Sequence, residues 1–165
     1  MRNYGHRRSI RLKKFDYSQR GAYFITLCVQ NRACLLGDIG QDTMVVNCAG
    51  EMLERWWCEM EHKFPSIILG EYVVMPNHFH AIIRIVSSEV PRQAPLSKMV
   101  QWFKTMSTNA YIRGVKEQGW PVFDGSLWQR NYYEHVIRDE RSYDAISAYI
   151  QTNPVKWQQD KYFIL

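Results

Sequence analysis

The chain has 165 residues, of which 46% are apolar and 22% charged, and this ordinary globular composition excludes disordered and fibrous classes. The length predicts one domain. Because no stretch approaches the roughly 18 apolar residues of a membrane span and no apolar leader is seen, we expect a soluble, intracellular protein. The net charge of +5 and the pI near 9.1 favour an anionic partner such as nucleic acid or a membrane surface.

Basic side chains are concentrated at the start of the chain. Residues 1–20 carry seven Lys and Arg against one acid, Asp16, which is typical of an arm that contacts phosphates, although a solvated tail fits the same composition. The candidate DNA contacts in this arm are Arg7, Arg8, Arg11, Lys13 and Lys14. We therefore expect a basic arm, residues 1–20, followed by a single domain, residues 21–165.

Periodicity predicts the elements of this domain. β-Branched and aromatic runs predict strands at 22–29, 67–75, 78–86 and 128–137, and Gly37 and Gly40 indicate a turn after the first strand. Apolar residues at helical spacing predict helices at 46–64 and 96–114 and a last helix, capped by Asp139 or Ser142, that Pro154 ends at Asn153. This order predicts an α+β fold of the ferredoxin-like (split βαβ) kind, an antiparallel sheet with helices packed on it and an added C-terminal helix.

Two histidines, His78 and His80, follow the turn Met75-Pro76-Asn77. On a strand, residues two apart project from the same face, so both imidazoles could bind one metal ion. On a helix they would lie about 200° apart. Each could also be a hydrogen-bonded structural residue or an exposed polar one. The turn places the pair at the start of a strand, where sites are usually built.

The last helix offers partners for this pair. Tyr149 and Asn153 are spaced i and i+4, so a phenol and an amide share one helix face. They could supply a nucleophile and a third metal ligand. They could equally be a half-buried helix tyrosine and an ordinary residue before proline.

A second polar and aromatic cluster spans residues 128–135. Arg130, Tyr132 and His135 are candidate contacts to a nucleic-acid strand. Glu134 or His135 could add a metal ligand, and Tyr132 could compete as the nucleophile. On a strand, however, Tyr132 and His135 would face opposite sides, which favours the helix pair.

A divalent ion would help such a tyrosine to attack a phosphate. A hydroxyl with a pKa of about 10 is a weak nucleophile at neutral pH. A metal held by the histidines would bind the non-bridging oxygens of a phosphate and orient it for in-line attack. The mixed imidazole and amide donors favour Mg²⁺ or Mn²⁺ acting with the substrate's own oxygens. Zinc is the alternative, but it usually binds with more His, Cys or carboxylate ligands.

These segments resemble a known family. The run Met75-Pro76-Asn77-His78-Phe79-His80 carries the His-hydrophobic-His signature of the HUH superfamily of single-strand DNA nucleases, and its context resembles the REP-associated tyrosine transposases. The other matching segments are Ser9-Ile10-Arg11-Leu12, Tyr17-Ser18, Gly21-Ala22-Tyr23-Phe24, the block from Leu127 to His135, Ile137-Arg138, Tyr149-Ile150 and Asn153-Pro154. The likeness covers nearly the whole chain.

The resemblance implies a metal-dependent transposase that cuts single-stranded DNA at hairpin-forming palindromic repeats. Tyr149 would be the nucleophile that forms a 5′-phosphotyrosine and frees a 3′-hydroxyl. His78, His80 and Asn153 would hold the metal, Asn153 standing where related insertion-sequence transposases carry Gln. A monomer in a prokaryotic cytoplasm, associated with the nucleoid, is expected, with a dimer as the alternative.

Two other functions fit the same residues. A non-catalytic module could bind hairpin DNA or RNA on a ferredoxin-like sheet, with aromatics stacking on bases. A metal-dependent hydrolase could use activated water and would leave no covalent adduct. Loss of covalent DNA capture on Tyr149→Phe distinguishes the tyrosine transposase from both.

Overall fold

The computed structural model describes residues 19–86 and 94–164. The five basic residues predicted to contact DNA from the arm lie outside the described residues. The elements are β1 (Gly21–Cys28), β2 (Gly37–Gly40), β3 (Thr43–Val46), α1 (Cys48–Lys63), β4 (Ile67–Met75), β5 (His78–Ile85), α2 (Leu96–Gln118), β6 (Tyr133–Ile137) and α3 (Glu140–Thr152). Short 3₁₀ helices occupy Gln30–Arg32 and Trp157–Gln159.

A four-stranded sheet in the order β4-β5-β1-β6 is the centre of the fold. Every neighbouring pair is antiparallel, and the pairing of strands across the two helical connections is that of the split βαβ arrangement. The predicted ferredoxin-like fold with an added C-terminal helix is confirmed. In the part of the chain that the structure describes, no helix is long and apolar enough to cross a membrane.

The central strand β5 is buried on both faces. Phe79, Ala81 and Ile83 point to the face covered by α1 and α2, where Phe79 packs against Trp57 and Phe103. The alternate residues His78, His80 and Ile82 point to the other face, which α3 partly covers through a small core of Phe24, Ile82, Ile137 and Ile150. One face therefore carries the main core, and the other carries the histidines.

A small hairpin, β2–β3, lies where only a turn was predicted. Its two-residue loop has left-handed backbone at both Gln41 (φ 49°) and Asp42 (φ 59°). Such loops are usually signalled by Asn-Gly or Asp-Gly. Since Gln-Asp carries no such signal and each strand has only four residues, the sequence does not predict this hairpin.

The helix α2 extends past the predicted end at residue 114. Gly114 lies inside the helix, where a Cβ would overlap the indole of Trp120, so this glycine allows close packing and does not end the helix. The end comes at Gly119, whose positive φ of 69° forms the C-cap.

The last strand is shorter than predicted, because residues 128–132 leave the ladder. Trp128 makes an isolated bridge to Val29, and the Lys104 ammonium donates to the carbonyls of Gln129 and Arg130 at 2.7 and 3.2 Å. Those two carbonyls are thereby satisfied by a side chain in place of a strand partner. At α3, Asp139 is the N-cap and accepts from the Ser142 amide at 2.7 Å.

Candidate metal and tyrosine site

His78 and His80 lie side by side on the α3 face of β5. Their ring centroids are 4.5 Å apart, and their exposed fractions are 0% and 1%. The predicted strand placed them on one face, and the observed register pairs them with Cys28 and Thr26 of β1. The two imidazoles can therefore share a ligand.

A neighbouring amide fixes the tautomer of His78. The Asn77 Nδ2 donates to the carbonyls of Arg32 (3.1 Å) and Tyr162 (2.8 Å), which orients the amide oxygen toward His78 Nδ1 at 2.9 Å. Because that oxygen can only accept, Nδ1 carries the proton. The lone pair of Nε2 then faces the site, and Nε2 has no hydrogen-bond partner among the described residues.

His80 has a hydroxyl on each side of its ring. Its Nδ1 lies 2.7 Å from Thr26 Oγ1, and its Nε2 lies 3.3 Å from the Tyr149 hydroxyl. Metal binding through Nε2 requires the proton on Nδ1, where Thr26 Oγ1 can accept it. Thr26 is thus placed to hold the ligating tautomer.

The helix α3 brings the predicted partners to the histidines. The Tyr149 ring stands edge-on to His80 at 5.3 Å, and Tyr149 is 39% exposed. Asn153 is buried, and its amide interacts with the His78 imidazole and the Tyr149 hydroxyl. Its Oδ1 nevertheless makes no hydrogen bond within the described residues. A buried acceptor oxygen and a buried imidazole lone pair, both unsatisfied, fit a bound cation.

Burial keeps both imidazoles neutral at pH 7. It lowers the pKa of His78 to about 4, although the Asp160 carboxylate and the Asn153 amide act in the opposite direction. The pKa of His80 falls well below its ordinary value for the same reason, with smaller contributions from His78 and Lys161. Neutral imidazole is the form that binds metal ions.

The Tyr149 phenol is protonated at neutral pH. Burial raises its pKa above the ordinary value, and the Asp160 carboxylate raises it further, while the Asn153 amide lowers it. A bound cation would act in the favourable direction by stabilising the phenolate.

An acidic residue, Asp160, joins the site although it was not among the predicted residues. It follows the 3₁₀ helix Trp157–Gln159, and its Oδ2 lies 3.9 Å from His78 Nε2. One ligand atom from each of His78, His80 and Asp160 lies within 4.8 Å of the others. No periodicity or spacing in the irregular segment after Pro154 indicates this approach.

The second predicted cluster lies apart from the histidines. Tyr132 packs against the main core on the other face of the sheet, and Glu134 pairs with Ile25, which points to that same face. His135 is exposed and pairs with Phe24 on the histidine face. Arg130 is exposed in the preceding loop. Among the described residues, neither Glu134 nor His135 belongs to the group of potential metal ligands.

The family model of IS200-like transposases matches residues 19–153 of this chain. The chain belongs to the IS200-like transposase family. Membership indicates a DNA-processing protein. The predicted recognition as a REP-associated tyrosine transposase is confirmed by two of the curated relatives that follow.

Three curated relatives of this IS200-like transposase come from two bacteria. An uncharacterized protein of Haemophilus influenzae is 39% identical over 96% of this chain and 94% of the relative. A putative REP-associated tyrosine transposase of the same organism is 22% identical over 86% of the chain and 74% of the relative. The REP-associated tyrosine transposase of Escherichia coli is 23% identical over 85% of the chain and 70% of the relative.

Two solved structures share the fold of this IS200-like transposase. One is a REP-associated tyrosine transposase bound to a REP hairpin, with a TM-score of 0.65 and 22% identity over 91% of this chain and 74% of that chain. The other is a putative transposase of Deinococcus radiodurans, with a TM-score of 0.51 and 16% identity over 87% of this chain and 96% of that chain. At these identities the likeness concerns the fold.

Proposed function

We propose that this protein cuts and rejoins single-stranded DNA at hairpin-forming repeats through a 5′-phosphotyrosine on Tyr149. The observation that carries this proposal is the 3.3 Å approach of the half-exposed Tyr149 hydroxyl to Nε2 of the buried His80. The Tyr149 hydroxyl is therefore accessible to a substrate from solvent and adjacent to an imidazole that could bind a metal ion.

The proposed cleavage is an in-line displacement. The phenolic oxygen of Tyr149 attacks the phosphorus and the bond from phosphorus to the 3′-oxygen breaks. The phenol releases its proton to solvent, and the leaving 3′-oxygen takes up a proton from solvent to become a hydroxyl. Rejoining is the reverse displacement by a 3′-hydroxyl. The reaction conserves the phosphodiester energy in the tyrosine ester and needs no ATP.

His78, His80 and Asn153 are proposed to hold a divalent ion, Mg²⁺ or Mn²⁺. When bound, such an ion neutralises charge on the non-bridging oxygens of the scissile phosphate. Asn77 and Thr26 orient the two imidazoles toward it. Burial of the pair keeps both imidazoles in the neutral form that binds metal ions.

The proposed substrate is DNA with a REP-type hairpin, because a solved relative is bound to one. The basic arm, residues 1–20, would contact the hairpin phosphates, and residues 21–165 would form the catalytic domain. Exposed Arg130 and His135 are proposed to contact the strand, together with the more buried Tyr132. We propose that a monomer carries out the reaction.

Covalent capture of DNA tests this function. The protein is incubated with single-stranded REP-type hairpin DNA and Mn²⁺ or Mg²⁺, and the products are separated on a denaturing gel. We expect an adduct with the wild-type protein and none with Tyr149→Phe, while both bind the hairpin equally. Tyr133→Phe is the matched control, because Tyr133 is 43% exposed and contacts the same Phe24 ring.

Each other outcome identifies a different error. An adduct that persists in Tyr149→Phe would show that another tyrosine, with Tyr132 the next candidate, is the nucleophile. Hairpin binding without any adduct, across the repeats offered, would support the non-catalytic binding module. Cleavage without an adduct would support hydrolysis by activated water.

A further inference from the structure

We propose that the Asp160 carboxylate is a ligand of the metal ion, in addition to the two imidazoles and the Asn153 amide. The role of the metal in DNA cleavage rests on the proposed function. Binding of the metal by Asp160 does not, because it can be measured without DNA. Asp160 lies beyond residues 19–153, the part of the chain that the family model matches.

The two oxygens of Asp160 have different surroundings. Oδ1 accepts from the Tyr162 amide at 2.7 Å, which fixes the carboxylate. Oδ2 faces His78 Nε2 at 3.9 Å, and both side chains are almost fully buried, at 3% and 0% exposure. That separation is too long for a hydrogen bond.

The facing atoms are both acceptors. Asn77 holds the proton of His78 on Nδ1, so a lone pair and a carboxylate oxygen oppose each other in a buried site. Such an arrangement is costly unless a cation lies between the two atoms. With metal–ligand bonds of about 2.1 Å, two atoms bound to one ion lie about 3.0 Å apart at a right angle and about 3.4 Å apart at the tetrahedral angle. The two atoms, 3.9 Å apart, need to approach by only about 0.5–0.9 Å to share an ion.

The segment that carries Asp160 is anchored on the histidines. The Tyr162 ring lies 4.6 Å from the His78 ring, and the Tyr162 carbonyl accepts from Asn77 Nδ2. The Arg32 guanidinium donates to the Lys161 carbonyl at 3.2 Å, and the buried Trp157 ring lies 6.0 Å from His78. Asp160 is therefore held in place by packing and hydrogen bonds on both of its sides.

A carboxylate changes how tightly the site binds a divalent ion. Two imidazoles and an amide are neutral donors, so Asp160 would supply the one formal negative charge among the ligands. Two histidines with one carboxylate are typical of transition-metal sites, whereas Mg²⁺ prefers oxygen donors and retained water. The two imidazoles therefore favour Mn²⁺ over Mg²⁺, and we expect the Asp160 carboxylate to raise the affinity for Mn²⁺.

Titration of the metal-free full chain with Mn²⁺, without DNA, tests the ligand. The concentration of free Mn²⁺ is followed by electron paramagnetic resonance. We expect Asp160→Asn to weaken Mn²⁺ binding about tenfold or more, because even the partners behind metal ligands change affinity by roughly 10–100-fold. His78→Ala is the positive control for loss, and Asp144→Asn, an exposed acid on α3, is the matched control for no change.

A second measurement needs no substitution. Wild-type protein containing aspartate labelled with ¹³C at the side-chain carboxyl should show ¹³C coupling in the electron–nuclear double resonance spectrum of bound Mn²⁺. The proposal is overturned if this coupling is absent, or if Asp160→Asn binds Mn²⁺ as the wild type does while His78→Ala does not. It is also overturned if the wild type binds no Mn²⁺.

The adduct assay separates this failure from that of the proposed function. If Asp160→Asn binds Mn²⁺ normally and still forms the covalent DNA adduct, only the Asp160 ligand is wrong. If the wild type forms no adduct although Mn²⁺ binding depends on Asp160, the ligand is correct and the tyrosine chemistry is wrong.

Discussion

The side chains behind His78 and His80 decide which ring nitrogen faces the site. Asn77 is buried and uses its whole amide, with Nδ2 on two carbonyls and Oδ1 on His78. Thr26 faces His80 in the same way from the neighbouring strand. Groups of this kind set the tautomer and orientation of ligating histidines. The role of Thr26 does not follow from the His-x-His pattern, because Thr26 is adjacent to His80 only through strand register.

Thr26→Val removes the hydroxyl while keeping the side chain's shape. Without an acceptor for Nδ1–H, His80 loses the orientation that directs Nε2 to the metal. We expect Mn²⁺ affinity to fall about 10-fold or more, as for other second partners of ligating histidines. Isothermal titration measures this, and Thr26→Ser, which keeps the hydroxyl, is the control. Equal affinities for Thr26→Val and wild type would show that Thr26 does not orient His80.

The buried histidines make the stability of the metal-free protein depend on pH. His78 has a pKa of about 4 in the fold and about 6.5 as an ordinary histidine. Between these values the unfolded chain binds a proton that the folded protein does not, so the free energy of unfolding falls as pH drops from about 6.5 to about 4. Above pH 6.5 this contribution is constant.

Urea denaturation of metal-free protein at pH 7 and pH 5 measures this dependence. We expect a smaller loss of stability in His78→Gln than in the wild type. His62→Gln should lose as much as the wild type, because His62 lies on the exposed surface of α1. If the wild type and His78→Gln lost the same free energy of unfolding between pH 7 and pH 5, burial of His78 would not be the cause of the pH dependence.

At the scale of elements, the sequence predicts best where the pattern is long and has clear ends. β4 has the predicted bounds, and β5 differs by one residue, because β-branched runs flank a Pro-Asn turn. The strand period of 2 also predicts that His78 and His80 share one face of the sheet. The helix period of 3.6 likewise predicts that Tyr149 and Asn153 share one face of the last helix. The hairpin β2–β3 and the position of Asp160 depend on short or irregular segments, for which periodicity carries no information.

The sequence predicts that α2 ends at Gly114, whereas in the structure this glycine lies inside the helix and packs against Trp120. Gly114→Ala adds helix propensity of about 1 kcal/mol, but its Cβ would overlap the Trp120 indole between the helix and the following loop. Overpacking of this kind costs roughly 1–3 kcal/mol, so we expect a net decrease in the free energy of unfolding. Urea denaturation measures it, with Gly40→Ala as the control because its nearest neighbour is Val45 Cγ2 at 3.7 Å. A stabilised Gly114→Ala would show that Trp120 moves away without cost.

At the scale of the whole molecule, the basic arm is proposed to bind DNA phosphates, whereas the candidate catalytic residues lie in the folded domain. If the basic arm binds hairpin phosphates, removal of residues 1–18 should weaken hairpin binding most at low salt. The slope of log affinity against log salt should become shallower by about 0.7–0.9 for each phosphate that the arm neutralises in the full chain. Fluorescence anisotropy over a salt series measures this, and unfolding of the shortened chain provides the control for the fold. An unchanged slope would show that the arm does not contact the DNA phosphates.

The two faces of the sheet differ in content: one carries the main hydrophobic core and the other the candidate site. The face under α1 and α2 holds the main core, including Trp57, Phe79 and Phe103. The opposite face gathers two neutral imidazoles, a phenol, an amide and a carboxylate, which come from β5, from α3 and its C-cap, and from the segment after Pro154. The central claim is that this second face carries out tyrosine-mediated DNA cleavage.

The most direct test of that claim is the chemical structure of the covalent adduct. Hairpin DNA labelled at the 5′ end on one sample and at the 3′ end on another is reacted with the protein and Mn²⁺, and the adduct is digested and sequenced by mass spectrometry. We expect the 3′-labelled portion to remain on the protein, joined through its 5′-phosphate to the peptide that contains Tyr149, and the 5′-labelled portion to be released with a free 3′-hydroxyl. A phosphate on another residue, retention of the 5′-labelled portion, or no adduct at all would contradict the account.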